Sequence, residues 1–385
     1  MKKIRILTTT RADFSLLKPV YDALMELGAD VSFLVTGTHL SKEYGFTVDK
    51  IELLGAKTAA KINIMPEKNL TVSQIMANAM TKFDSYFRME KPDLLLVLGD
   101  RYETLAVALA AFNSDIITAH MHGGEKTTGA KDDCMRHAIT KFSRLHFTSC
   151  EAYRKRVIQL GENPDFVFNV GSVGVENALS TEFFTREENA VNLNIKPEEN
   201  YAICTFHPET FSNMHVEESI RLILNALKQV KWLKFIFTAA NADDGGDIIN
   251  KILKNEASEN ENLSFFESLG GKNYLSAVKY SKFVFGNSSS GIIEAPSLKV
   301  PTVNIGERQS GRVRAGSVID VKMEQADILR GINIALSEDF AKNSEIFKNP
   351  YQGENTSRKI AQILIETSEK KISGAKEFYD VDFEY

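Results

Sequence analysis

Cysteine is scarce: only Cys134, Cys150 and Cys204 occur in 385 residues, and none falls in a Cys-x-x-Cys pair. That excludes a disulfide framework or a zinc knuckle and points to a reducing compartment, so a cytoplasmic protein is expected. Also lacking is any apolar run near the ~18–20 residues that a membrane-crossing helix needs. After Met1-Lys2-Lys3 the apolar run covers only residues 4–7, shorter than the core of a signal peptide, and it reads as a first strand. Positive charge is not in excess: 46 Lys and Arg against 51 Asp and Glu leave a net −5, which argues against a general nucleic-acid binder. Low-complexity tracts are absent too. With 43% apolar and 25% charged residues, the composition excludes a disordered chain.

What is present is length and alternation. A chain of 385 residues is too long for one ordinary core and suits two domains of roughly 170–190 residues. In the first half, short apolar runs at 4–9, 31–36, 94–98, 116–120, 145–148 and 166–170 predict strands. Amphipathic stretches at 14–27, 41–54, 71–90, 103–113, 133–142 and 151–160 predict helices. Continuous apolar strands separated by helices imply a parallel sheet covered on both faces. The polar, acidic stretch 180–200 reads as a linker, and the alternation then restarts. Strands are expected at 202–205, 235–238, 263–265, 283–285 and 302–304, with helices at 216–230, 244–254, 274–280, 291–298 and 356–370. The expectation is therefore an α/β protein of two Rossmann-like domains, residues 1–180 and 181–385, facing a cleft.

The chemistry-bearing residues follow strands. Gly99-Asp100-Arg101 sits between a strand and a helix, where Asp100 is either an acid/base carboxylate or a helix N-cap. The densest cluster runs from His120-Met121-His122-Gly123-Gly124-Glu125 through Lys131-Asp132-Asp133 to Arg136-His137. Proton transfer suits it, because carboxylates and imidazoles close together tune one another toward neutral pH. A His-x-His metal site is the competing reading, but alternate strand residues point to opposite faces. Arg11, in the first strand-to-helix turn, can grip a phosphate.

In the second half, His207-Pro208 follows a strand, and Asn287-Ser288-Ser289-Ser290-Gly291 joins a strand to a helix. Small hydroxyl residues there close on an anion or simply cap the helix. The loop is neither a Gly-Lys-Ser/Thr phosphate loop nor a G-x-G-x-x-G turn. Glu294, one turn later, can accept ribose hydroxyls, and Arg308 and Arg312 lie on a glycine-flanked loop. Acid/base groups gather in the first half; basic and hydroxyl groups gather in the second.

Taken together these stretches resemble the hydrolysing UDP-N-acetylglucosamine 2-epimerases of bacterial sialic- and legionaminic-acid pathways. The resemblance covers nearly the whole chain. It rests on Thr10-Arg11-Ala12-Asp13, Gly99-Asp100-Arg101-Tyr102-Glu103, His122-Gly123-Gly124-Glu125 with Asp132-Asp133 and Arg136-His137, His207-Pro208, Asn287 to Gly291, and Gly306-Glu307-Arg308-Gln309. It implies a GT-B-like fold with the last helix, about 356–370, packing back on the N-terminal domain, and a homodimer or homotetramer. The substrate implied is a UDP- or GDP-linked amino sugar, with no metal or other cofactor and no nucleic-acid or membrane partner. By position, Asp100 and Asp132 match acid/base carboxylates, and His207 matches the residue near the leaving phosphate. Arg11, Ser288, Ser289, Glu294 and Arg308 match nucleotide-binding positions. Where some members carry a third acid/base carboxylate this chain has His122, with one extra residue before Asp132, so either His122 or Glu125 fills that role.

Overall fold

The computed structural model describes residues 2–41, 46–66, 70–127, 131–209, 214–240, 245–344, 346–370 and 375–382. The chain divides into two compact units, 1–125 with 131–176 and 353–385, and 126–130 with 177–352.

The first unit holds strands β1 (Lys3–Thr8), β2 (Asp30–Val35), β3 (Thr58–Lys61), β4 (Leu94–Leu98), β5 (Ile117–Met121), β6 (Leu145–Thr148) and β7 (Val167–Asn169). Its helices are α1 (Arg11–Glu26), α2 (Val48–Leu53), α3 (Val72–Glu90), α4 (Tyr102–Asn113), α5 (Lys131–Phe142) and α6 (Glu151–Gln159). α7 (Val173–Ser180) carries the chain across the boundary between units. The sheet is parallel, in the order β3-β2-β1-β4-β5-β6-β7.

Both faces of this sheet are buried, for a reason visible in β1 and β4. Ile4, Ile6, Leu94 and Leu96 pack with α1 on one side, and Leu7, Leu95 and Val97 pack with α3 and α4 on the other. α1 starts where it does because Thr10 and Asp13 form a capping box: the Thr10 hydroxyl accepts from the Asp13 N–H while the Asp13 carboxylate reaches back.

In the second unit, β8 (Tyr201–Thr205), β9 (Lys234–Thr238), β10 (Leu263–Phe266), β11 (Val284–Gly286), β12 (Thr302–Ile305) and β13 (Val318–Val321) form a parallel sheet. Its order is β10-β9-β8-β11-β12-β13. The helices are α8 (Arg186–Leu193), α9 (Val216–Leu227), α10 (Gly246–Glu259), α11 (Gly271–Tyr280), α12 (Ser289–Ile293), α13 (Gln325–Leu336) and α14 (Glu338–Ser344). Ala202 and Cys204 pack with α9, α10 and α13, whereas Tyr201 and Ile203 pack with α8 and α11. The last helix, α15 (Thr356–Glu369), belongs to the first unit, burying Ile360, Ala361 and Leu364 in the cluster built on α1.

Several expectations need correction. Stretch 180–200 is not a bare linker, because α8 lies inside it, closed at its start by a Thr185–Glu188 capping box. The helix expected at 41–54 is a single short helix from Val48, preceded by a 3-10 turn at Gly37–Leu40; residues 42–45 of that stretch lie outside the described residues. The helix expected at 291–298 shortens to α12 followed by a 3-10 turn.

Candidate active site

In a parallel sheet, ligands collect where neighbouring strands send their chains in opposite directions. In the first unit that place is between β1 and β4, with the turns β1–α1, β4–α4 and β5–α5 around it. The β1–α1 turn is organised by Asp13. Its carboxylate accepts from the Thr8 and Thr9 hydroxyls at 3.0 and 2.7 Å and from the Thr9 and Thr10 N–H groups at 2.9 and 2.8 Å. Arg11 follows at the first position of α1, exposed to solvent.

After β4 the chain turns through Gly99, whose φ of 81° is in the left-handed region that glycine enters without strain. His120, fully buried on β5, donates from Nε2 to the Gly99 carbonyl at 2.7 Å and accepts at Nδ1 from Thr140 at 3.1 Å. Burial, outweighing the hydrogen bond to Gly99, holds its pKa down to about 3. His120 is thus a neutral strut that sets the turn presenting Asp100. It does not join His122 in a metal pair, since both of its nitrogens are already engaged.

Asp100 is not the N-cap of α4; Arg101 occupies that position, with no side-chain cap, and pairs instead with the buried Glu103 at 2.8 Å. The Asp100 carboxylate accepts a hydrogen bond from Arg136 Nη2. Arg136, 2% exposed on α5, is the hub of the first unit's site. Its Nη1 lies 3.4 Å from both the His122 carbonyl and Glu125 Oε2. Asp132 stands exposed in the first turn of α5, four residues before Arg136 and so on the same helix face. Asp133 points to another partner, His137, at 3.5 Å.

His122 directly follows β5 with a φ of 64° and donates its backbone N–H to the Phe147 carbonyl at 2.9 Å. Its Nδ1 is 2.8 Å from Glu125 Oε1, which also accepts from the Ser149 hydroxyl at 2.9 Å. Gly124 must lack a side chain, because a Cβ there would meet the Tyr153 carbonyl at 2.4 Å. Asp100, His122, Glu125 and Arg136 are therefore one connected group, and Asp132 shares the helix face of its hub.

The second unit repeats the topology, with its chain reversal between β8 and β11. Asn287 ties the two loops together. Its Oδ1 accepts from the His207 N–H at 2.7 Å and its Nδ2 donates to the His207 carbonyl at 2.9 Å. The Asn287 carbonyl in turn accepts from Arg308 at 3.2 Å and from the buried Gln309 at 2.8 Å. Glu209 Oε1 accepts from the backbone N–H groups of Glu307 and Arg308 at 3.0 and 3.2 Å, fastening the β12 loop to the β8 loop. Burial, followed by the nearby Arg308 charge, lowers the His207 pKa to about 3, so its imidazole is neutral. Ser288 caps α12, accepting from the Ser290 N–H at 3.4 Å, and Ser289 opens the helix. Glu294 closes it, half-buried.

The structure thus gathers His207, Ser288, Ser289 and Arg308 about one loop cluster, with Glu294 five residues further along α12. It gives three residues of those motifs contacts that motif reading did not assign: Arg136 as hub, Asn287 as clamp and Glu209 as loop tie. Among the described residues no three His, Cys, Asp or Glu side chains are grouped as metal ligands, and no helix is long and apolar enough to cross a membrane.

Comparison with known proteins agrees with this topology. The family model described as UDP-N-acetylglucosamine 2-epimerase matches residues 23–365. The polysialic acid biosynthesis protein P7 of Escherichia coli is 40% identical over 99% of this chain and 98% of its own length. A GDP/UDP-N,N'-diacetylbacillosamine 2-epimerase (hydrolyzing) of Campylobacter jejuni is 38% identical over 85% of this chain and 86% of its own. The solved UDP-GlcNAc 2-epimerase of Neisseria meningitidis, bound to UDP-GlcNAc, superposes with a TM-score of 0.81 at 20% identity, covering 95% of this chain and 100% of that one.

Proposed function

This chain belongs to the UDP-N-acetylglucosamine 2-epimerase family, and from that premise we propose that it is a hydrolysing sugar-nucleotide 2-epimerase. It converts UDP-N-acetylglucosamine and water to N-acetylmannosamine and UDP through a 2-acetamidoglucal, for nonulosonic (sialic-type) acid synthesis. The C2 hydrogen of a sugar without a C1 carbonyl is a very weak acid. Departure of UDP from C1 must lead, giving oxocarbenium character that acidifies C2. The C2–H pair then becomes the C1–C2 double bond. In the second half a proton adds to C2 from the opposite face and water oxygen adds to C1.

The observation that carries the proposal is the connected group at the end of β4 and β5: Asp100 held by Arg136, with His122 and Glu125 on the same guanidinium. Transfer of a sugar to an acceptor does not need that many proton-handling groups. Asp100 and Asp132 stabilise positive charge on the ring and move protons, each contributing ~10²–10⁴-fold. Neutral His207 with Arg308, Arg11, Ser288 and Ser289 stabilises the departing diphosphate, and Glu294 takes the ribose hydroxyls. No metal or cofactor enters.

A second substrate is favoured by one observation: the 38% identical Campylobacter jejuni relative is described as a GDP/UDP-N,N'-diacetylbacillosamine 2-epimerase (hydrolyzing). On that reading the same reaction is run on a UDP- or GDP-linked 2,4-diacetamido-2,4,6-trideoxyglucose. The proposal includes a cytoplasmic homodimer or homotetramer. Incubating the enzyme with each candidate in D₂O tests it. Deuterium at C2 of a free, mannose-configured product is expected; release of UDP with glucose configuration retained, or transfer to an acceptor, overturns it.

A further inference from the structure

The geometry points to His122 as the third proton-transfer residue of this site, acting through Nε2, with buried Glu125 as the positioning residue that holds its ring. This inference rests on the 2-epimerase reading and adds to it the assignment of one chemical role. Its basis is an asymmetry between the two side chains. Glu125 is 2% exposed, and its carboxylate is spent on neighbours: Oε1 takes His122 Nδ1 and Ser149 Oγ, and Oε2 faces Arg136. It has neither the exposure nor the reach to meet a sugar. His122 has the reverse disposition. A carboxylate can only accept from Nδ1, so Nδ1 carries a proton, and in the neutral ring that tautomer leaves the lone pair on Nε2. Among the described residues no group hydrogen-bonds His122 Nε2, and the ring retains partial access to solvent.

An anion behind one nitrogen and substrate before the other is the arrangement by which a carboxylate fixes the tautomer and orientation of a basic imidazole. Backbone geometry supports it. The N–H of His122 is held by Phe147 and its carbonyl by Arg136, so the ring's origin is fixed at the end of β5. That strand runs beside β4, in register Leu98 to Met121, which sets His122 next to the turn bearing Asp100. The charged and titratable groups around the ring are Glu125 from its own loop, Arg136 from α5 and His120 from β5. Asp100 lies across Arg136, and Arg156 of α6 donates to the Gly124 carbonyl behind the loop.

In the elimination, Nε2 takes the C2 proton as the C1–O bond breaks. The C2–H pair forms the double bond, the C1–O pair leaves on UDP, and the ring becomes imidazolium facing Glu125. The imidazolium then returns its proton to solvent, while an aspartate delivers the new C2 proton from the other face.

The test measures UDP release over pH 5–9 for wild type, His122→Gln, His122→Glu, Glu125→Gln and Glu125→Asp, with UDP affinity and thermal unfolding as controls. His122→Gln is expected to lose ~10²–10³-fold in kcat with UDP affinity unchanged. His122→Glu should stay within about tenfold of wild type, with the acid limb moved from the histidine to the carboxylate range. Glu125→Gln should move the acid limb down, since the imidazolium loses its anion, and Glu125→Asp should restore part of the difference. Should Glu125→Gln not fold, Ser149→Ala, which removes one anchor of the same carboxylate, must show the acid-limb shift in smaller degree. Normal UDP release by His122→Gln, or an unmoved acid limb in the folded Glu125 or Ser149 variant, overturns the assignment. Wild type that releases neither UDP nor GDP from any panel sugar overturns the 2-epimerase reading itself, and the His122 role falls with it.

Discussion

Replacing Glu162 with Gln is expected to loosen the C-terminal segment from the helix that carries Asp132 and Arg136. Glu162 is 2% exposed, and three donors converge on it: His146 Nε2 at 2.9 Å, Lys141 Nζ at 2.7 Å and Lys376 Nζ at 2.6 Å. Lys376 also donates to the carbonyls of Lys141 and Ser143 at 2.9 and 2.6 Å, at the C-terminal end of α5, where a cation is favoured. Beside it the Tyr379 N–H donates to the Gly161 carbonyl at 3.0 Å, and the Phe378 ring lies over Gly161 so closely that a Cβ would approach it to 2.3 Å. Burial alone raises the carboxylate's pKa, but the hydrogen bonds from His146, Lys141 and Lys376 win and hold it down to about 2, against an ordinary 4.5. A drop of that size is worth roughly 3 kcal/mol at neutral pH. Because the folded value is depressed, the stabilisation is complete above pH 4.5 and is lost as pH falls toward 2. Gln keeps an acceptor for His146 but removes the anion, so the loss in the first unit should be about 2–3 kcal/mol. Peptide-resolved hydrogen exchange at pH 7 reads it, as faster exchange in 375–382 and 131–142. The single tryptophan, Trp232, lies in the second unit and should report an unchanged denaturation midpoint. Wild-type protection in both peptides, or a difference between the two proteins that grows below pH 4.5, would refute the reasoning.

Three further outcomes are expected. Asp100→Asn and Asp132→Asn should each lower turnover by ~10²–10⁴-fold with UDP affinity unchanged by calorimetry, and near-normal turnover in both would remove the acid/base assignment. Asn287→Ala strips both side-chain bonds to the His207 backbone; denaturation of the second unit should show a loss of about 1–3 kcal/mol, with UDP binding at least about tenfold weaker. His120 stays neutral down to about pH 3 in the fold, so below pH 6.5 the unfolded chain binds a proton that the folded one refuses. Stability therefore falls on acidification by up to about 1.4 kcal/mol per pH unit from this site, and His120→Gln should flatten that slope between pH 6 and 4.

Much of the fold was legible because its central strands are apolar on both faces, and such runs as Leu94–Leu98 admit few other readings. The strands that escaped are edges. β3, Thr-Ala-Ala-Lys, and β13, Val-Ile-Asp-Val, each have one neighbour and are partly exposed, so their patterns are short and mixed. α8 was hidden by its polar outer face; only Ala190, Leu193 and the capping box betray it. In the candidate site, the positions of Asp100 and His122 at strand ends were readable from local sequence, because each follows an apolar strand. The contacts of Arg136 and Asn287 were not, because their partners Asp100 and His207 lie 36 and 80 residues away, and only the order of strands brings them together.

Backbone conformation at the strand ends separates what the fold needs from what the chemistry needs. The chain takes positive φ just after β4 at Gly99, at the end of β11 at Gly286 and after β12 at Gly306, and at each the residue is glycine, for which the conformation costs little. At Gly286 a Cβ would also strike the Thr205 backbone carbonyl, so packing alone requires glycine there. After β5 the same turn begins instead at His122, with φ 64°. A non-glycine residue in that region costs of order 1 kcal/mol, and Gly123 and Gly124 follow immediately, so the local sequence does not avoid glycine. Stability of the turn would be served by glycine at 122 as well. The strain is offset by the Phe147 and Arg136 backbone contacts and by Glu125, a carboxylate buried to meet one imidazole nitrogen. Under the proposed role of Nε2, that conformation serves proton transfer, and the pH profile of Glu125→Gln, rather than its stability, is the decisive measurement.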